Sequence, residues 1–139
     1  MPAKISAGAI VFRRTKRGLE FLLLQHELGH WEFPKGKIEE GEEENETVRR
    51  EIEEETSIRR IEFVEDFREI IQYSYRRKGK NVSKTVTFYL VKTRQQRVKL
   101  SDEHQDFQWL SYAEALGKLT FKNSKTVLAK ARVALGEME

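Results

Sequence analysis

The stretch GKIEEGEEENETVRREIEEETSI, Gly36 to Ile58, governs how the rest of the chain is read. Gly36 is followed by five residues, Glu42, seven more residues, and then Arg50-Glu51-Ile52-Glu53-Glu54-Glu55-Thr56-Ser57-Ile58. Pro34, Gly36 and Gly41 punctuate a loop, and the absence of Pro or Gly from Glu42 to Thr56 predicts a helix there. At about 100° per residue, Val48 and Ile52 share one face, and Glu51 and Glu55 lie close beside it. Glu54 falls next to them, while Glu53 points to the solvent side. Carboxylates at i, i+3 and i+4 on the flank of a buried face repel one another and resist desolvation. A divalent cation relieves both problems, and oxygen-only ligands suit Mg²⁺ or Mn²⁺ rather than zinc. Arg50 is placed to pair with Glu42 and so to fix the loop to the helix.

Charge is polarised along the chain. Residues 39–55 hold ten Glu against two Arg, a net of −8; the whole chain is +3, so everything else sums to +11. An acidic cation site facing a basic remainder suits a polyphosphate substrate. Nucleic acid would use the same basic surface, so charge alone does not separate the two. The 139 residues suffice for one domain with its own core, spanning 1–139. No apolar run approaches the length of a membrane span. Met1 to Lys4 carries no signal-peptide pattern, and zero cysteines exclude disulfides and thiolate metal sites. These features point to the cytoplasm and to no membrane partner.

Residues 4–13 and 20–26 read as strands around a Lys16-Arg17-Gly18 turn, with Phe21 to Leu24 apolar on both faces as in a buried central strand. Strands are also predicted near 61–75, 85–92 and Phe107–Leu110. Ser111 with Glu114 is a capping-box pattern for a short helix to about Leu116. A last helix is predicted over 123–135, with Gly136 just past its end. Strands interleaved with two or three helices predict an α/β sandwich, a mixed sheet covered on both sides.

The fixed positions of the opening stretch resemble the Nudix box, the signature of hydrolases that cleave nucleoside diphosphates linked to another group. One position departs: the family has Gly where this chain has Ser57. An acidic run is ordinarily a solvated helix face, and it is the spacing here that argues otherwise. Gly at a helix C-terminus takes positive φ freely, so Ser57 is expected to cost about 1 kcal/mol, and Ser57→Gly to raise thermal stability. Flanking segments resemble the asymmetrical diadenosine tetraphosphate hydrolases within the family: Ser6 to Phe12, His30-Trp31-Glu32-Phe33-Pro34-Lys35-Gly36, Ser83 to Tyr89, and Leu100 to Gln105.

The resemblance implies a Nudix-type α/β/α sandwich with a catalytic loop-helix-loop. It implies cleavage of diadenosine tetraphosphate to ATP and AMP. Glu51, Glu54, Glu55, the Lys35 carbonyl and Glu103 would bind Mg²⁺, with Mn²⁺ an alternative. Glu54 or Glu103 would be the catalytic base, while Gly36, Glu42 and Arg50 would be structural. His30, Lys35 and Lys84 resemble the family's phosphate contacts, and Tyr73 and Phe121 its base-stacking positions. Lys84 closes a basic stretch from Arg76 that reads as a mobile loop able to hold a polyanion or, for Arg76 to Lys80, equally as a solubilising hairpin tip. Trp31, Trp109 and Tyr89 are assigned to packing, and His26 and His104 to no metal. The same box serves other substrates: the triphosphate 5′ end of RNA, diphosphoinositol polyphosphates and damaged nucleoside triphosphates. The rival from another class is a non-catalytic nucleotide-binding module on a decayed box. A monomer or weak dimer is expected.

Overall fold

The computed structural model describes residues 3–136; Met1, and with it the reading of the N-terminus, lies outside them. The elements run β1 (Ala3–Thr15), β2 (Gly18–His26), β3 (Trp31–Glu32), β4 (Lys35–Lys37), α1 (Glu44–Thr56), β5 (Glu62–Phe63), β6 (Glu69–Arg77), β7 (Lys80–Lys92), β8 (His104–Leu110), α2 (Tyr112–Lys118) and α3 (Lys122–Gly136). All eight strands join one mixed sheet, in which β1 and β7 pair in parallel at the centre and the other pairings are antiparallel.

The period of two in the central strands explains the layers. In β1, Ala7, Ala9 and Val11 face one way and Ile10 and Phe12 the other; all are buried. In β2, Leu22 and Leu24 join the first set, Phe21 and Leu23 the second. α1 covers the first face with Val48 and Ile52, and α3 covers the second with Val127, Leu128, Ala131 and Leu135. The expected sandwich is what forms. No described helix is long and apolar enough to cross a membrane.

Three sequence expectations are corrected. The single strand expected over 61–75 is two, β5 and β6, broken near Asp66, whose φ is 66°. The basic stretch after Arg76 is no mobile loop but a hairpin. Arg76 pairs with Asn81 and Arg77 with Lys80, and Lys78 and Gly79 turn the chain at φ 53° and 75°. Two successive positive φ values mark the turn whose twist matches the flanking strands, and Gly79 makes the second one easy. The third correction is at the C-terminus: Gly136 is the last residue of α3 rather than the first beyond it.

Ser57 takes the left-handed conformation that the family's Gly would take, at φ 64° and ψ 14°. Its hydroxyl, however, donates to the Lys99 carbonyl at 3.2 Å, a bond Gly cannot make. A hydrogen bond of about 1 kcal/mol nearly offsets the conformational penalty of similar size. Ser57→Gly is therefore expected to move the melting temperature by less than about 3 °C, short of the gain expected from sequence. Ser57→Ala keeps the strain and loses the bond, and should melt about 4 °C lower. Calorimetry of the two variants checks the pair; an Ala variant as stable as wild type would remove the hydroxyl from the account.

Candidate active site

The loop before α1 and the helix itself are tied by one guanidinium. Arg50 Nε donates to Glu42 Oε2 at 2.7 Å and Nη2 to Glu42 Oε1 at 3.0 Å and the Lys37 carbonyl at 3.0 Å. Glu42 also accepts from Thr47 Oγ1 and from the Glu39 amide. With Arg50 as the main cause, its carboxyl is held down at about 2. Arg50 Nη1 reaches the other way, to Glu51 Oε1 at 2.8 Å and Glu54 Oε2 at 3.3 Å. Gly36 has a steric reason: a Cβ there would run into the carboxyl group of Glu51, which lies across its backbone.

Glu55 is the unusual group. It is buried beside Glu51, its Oε1 has no hydrogen-bond partner, and the nearest His104 nitrogen is 3.8 Å away. Burial, and then the adjoining Glu51, push its carboxyl far above the ordinary range. Among the described residues no three acidic or histidine side chains converge into a coordination geometry. Glu51 and Glu54 share Arg50 Nη1, and Glu55 is buried against Glu51, so the three carboxylates lie along one flank of α1. The residues nevertheless fit a hard divalent cation. The donor set is carboxylate oxygen, and the orphaned Glu55 oxygen is a buried acceptor that a cation would satisfy.

A cavity of about 810 Å³ opens beside this flank, and Glu103, His30, Lys35, Tyr73, Lys84 and Phe121 all line it. The hairpin register sets Tyr73 opposite Lys84 on adjoining strands. His30 lies between aromatics, stacked on His26 at 4.5 Å and 5.3 Å from the Phe121 ring. Tyr73 and Phe121 remain 36% and 51% exposed, so their faces are open to a flat ligand. Phe121 is held there because the Trp31 amide donates to Thr120 Oγ1 at 2.8 Å. Glu103 sits exposed at the cavity margin; Glu54 does not line the cavity but lies in a second groove with Arg50 and Glu53.

Two residues of this wall, Glu32 and His104, were given no role by the sequence reading. Glu32 is buried, with His104 Nε2 at 3.0 Å, His30 Nε2 at 3.2 Å and Lys35 Nζ at 3.5 Å. Burial alone would raise its carboxyl, but the His104 hydrogen bond and the Lys35 charge override it and hold it at about 2. The i, i+2 spacing of His30 and Glu32, on one side of an extended segment, was the available signal. His104 had none, since its partner lies 72 residues away. Tyr89, assigned to packing, meets Phe63 edge-to-face but also donates its hydroxyl to Glu44.

A family model described as the NUDIX domain matches residues 2–130. The chain is 38% identical over 135 residues to the mouse bis(5′-nucleosyl)-tetraphosphatase (asymmetrical), covering 88% of this chain and 89% of that protein. A crystal structure of a Caenorhabditis elegans Ap4A hydrolase binary complex superposes with a TM-score of 0.86 at 31% identity, covering 96% of this chain and 98% of that one. An RNA pyrophosphohydrolase of Nitratiruptor sp. is 29% identical over 100 residues, covering 66% of this chain and 64% of that protein.

Proposed function

The chain belongs to the Nudix family, and we propose that it hydrolyses dinucleoside polyphosphates, cutting diadenosine tetraphosphate asymmetrically into ATP and AMP. One observation carries the reading: two lysines, a histidine and two open aromatic faces meet in one cavity beside a carboxylate flank. Tyr73 and Phe121 stack an adenine, Lys35 and Lys84 neutralise the phosphate chain, and His30, whose pKa burial lowers, contacts that chain as a neutral imidazole. Glu32 and His104 orient Lys35 and His30 from behind.

Glu51, Glu54, Glu55, Glu103 and the Lys35 carbonyl would hold a divalent cation, Mg²⁺ or alternatively Mn²⁺. When bound, that cation supplies charge neutralisation for the phosphates and lowers the pKa of water. A carboxylate, Glu54 or Glu103, takes the water proton as the water oxygen bonds to phosphorus and the bridging P–O bond on the far side breaks. The electron pair of that bond leaves on the departing nucleotide. The chain works as one unit, a monomer or weak dimer of the cytoplasm.

Incubation with Mg²⁺ and diadenosine tetraphosphate, with products separated by chromatography, tests the reading. ATP and AMP in equal amounts, abolished by chelator, are expected. Two ADP would make the cleavage symmetrical and overturn it. The second reading is removal of pyrophosphate from the triphosphate 5′ end of RNA, favoured by the RNA pyrophosphohydrolase relative and by the +11 outside residues 39–55. Release of pyrophosphate from triphosphorylated RNA, without cleavage of the dinucleotide, would select it.

A further inference from the structure

A second concavity, of about 730 Å³, lies where the segment after α1 meets the end of β7. It is lined by Arg49, Arg59, Arg60, Lys92 and Arg94 against a single acid, Glu62. Arg59 makes a loose pair with Glu53 at 3.6 Å, and Arg49 lies over the Phe63 ring. Among the described residues, Arg60, Lys92 and Arg94 make no ion pair. Like charges gathered this way repel, so something must hold them.

The backbone does. Buried Thr93 donates its hydroxyl to the Arg60 carbonyl at 2.8 Å and accepts from the Gln95 amide at 3.1 Å. Gln95 Nε2 donates to the carbonyls of Ser57 and Arg97 at 3.1 and 3.0 Å. The segment after α1 is thus laced to the segment after β7, and the cations are presented on a rigid frame. The concavity also continues toward the carboxylates. A groove containing Glu53 and Glu54 shares Arg49, Arg59 and Ile61 with it.

We propose that this concavity, with the groove leading to it from Glu54, binds the phosphodiester backbone of single-stranded RNA. Charge sets the chemistry, since a polyphosphate backbone gains its affinity from unpaired cations and released counterions. A protein partner fits less well. Protein interfaces are anchored by exposed aromatic or aliphatic side chains, and none of the exposed large hydrophobics among the described residues lines this concavity. The groove at Glu54 joins the concavity through Arg49, Arg59 and Ile61, and a flexible strand can follow such a joined surface more readily than a stiff duplex. The inference goes beyond the reaction proposed for the cavity and does not depend on it.

The test is fluorescence anisotropy with 3′-labelled oligouridylate of ~12 nucleotides carrying a 5′ hydroxyl, in chelator so that nothing is cleaved. The wild-type chain is expected to bind with steep salt dependence between ~50 and ~200 mM. Arg60→Gln/Lys92→Gln/Arg94→Gln should lose at least about tenfold in affinity and reduce the salt slope by about 2, at roughly 0.7 per contact. Arg60→Lys/Arg94→Lys should retain binding, and so should Lys130→Gln/Arg132→Gln on α3. Turnover of diadenosine tetraphosphate by the triple Gln variant should be unchanged, so failure of the cavity reading and failure of this one remain distinct. Absence of wild-type binding overturns the proposal, as does equal binding by the triple Gln variant. Competition by polyglutamate as effective as by RNA would also overturn it, in favour of a general polyanion surface.

Discussion

Glu54→Gln is expected to lower turnover of diadenosine tetraphosphate by about three orders of magnitude while leaving the melting temperature within about 2 °C of wild type. The stability half follows from exposure. The Glu54 side chain is 56% exposed and, among the described residues, meets only Arg50, at 3.3 and 3.4 Å. Exposed pairs of this kind contribute at most about 1 kcal/mol, and Gln still accepts a hydrogen bond from the guanidinium. The activity half follows from the proposed chemistry, in which the carboxylate holds the cation or takes the water proton. Glu103→Gln is the companion. If Glu54 is the base, the acid limb of the pH–rate profile disappears in Glu54→Gln and survives in Glu103→Gln; the reverse assigns the base to Glu103. Near-normal turnover of Glu54→Gln would remove it from the site altogether.

Glu55→Gln should raise the melting temperature of chelated protein at pH 8, on the order of 5–10 °C, while abolishing hydrolysis. Glu55 is buried, one oxygen is unpartnered, and Glu51 crowds it. An unpaired buried acceptor is worth about 1–3 kcal/mol, more when charged. The sign of the pH dependence is set by the direction of the shift. A carboxyl raised in the folded state contributes stability that is fully present below its unfolded value and is lost as pH rises through the folded one. Gln is neutral throughout, so the two proteins should converge near pH 4 and separate above it. Glu32 acts oppositely: held at about 2, its contribution is present above the ordinary value and lost as pH falls toward 2, in both proteins alike. Added Mg²⁺ should raise the melting temperature of wild type and leave Glu55→Gln unmoved, by linkage of binding to stability. A variant that melts lower, with its Mg²⁺ response intact, would make Glu55 a structural residue.

Much of the fold was legible because its signals are local. The apolar run Phe21 to Leu24 announced a strand buried on both faces, and β2 indeed lies between two covered layers. The Ser111–Glu114 pattern marked the start of α2, and both capping bonds form. The hairpin at Lys78-Gly79 stood only as an alternative to a mobile loop, because Lys is a poor indicator of positive φ and the charge of the stretch suits either. The break at Asp66 was missed although Asp takes positive φ more readily than most residues, because it is a single residue inside an otherwise strand-like run.

The sequence by itself determined the helix, its carboxylate spacing, the Glu42–Arg50 partnership and the family, because a period of 3.6 residues fixes which side chains are neighbours along a helix. Only the tertiary structure decided what stands around them. It set Glu32 between His30 and His104, Tyr73 beside Lys84, and the Ser57 hydroxyl on Lys99, pairings separated by up to 72 residues. It also decided that Glu55 is buried while Glu54, its neighbour in the chain, is open to solvent. The reason is physical. Burial and pKa follow from the dielectric and charges that other segments bring to a site, and strand register and layer packing, not local spacing, determine which segments those are.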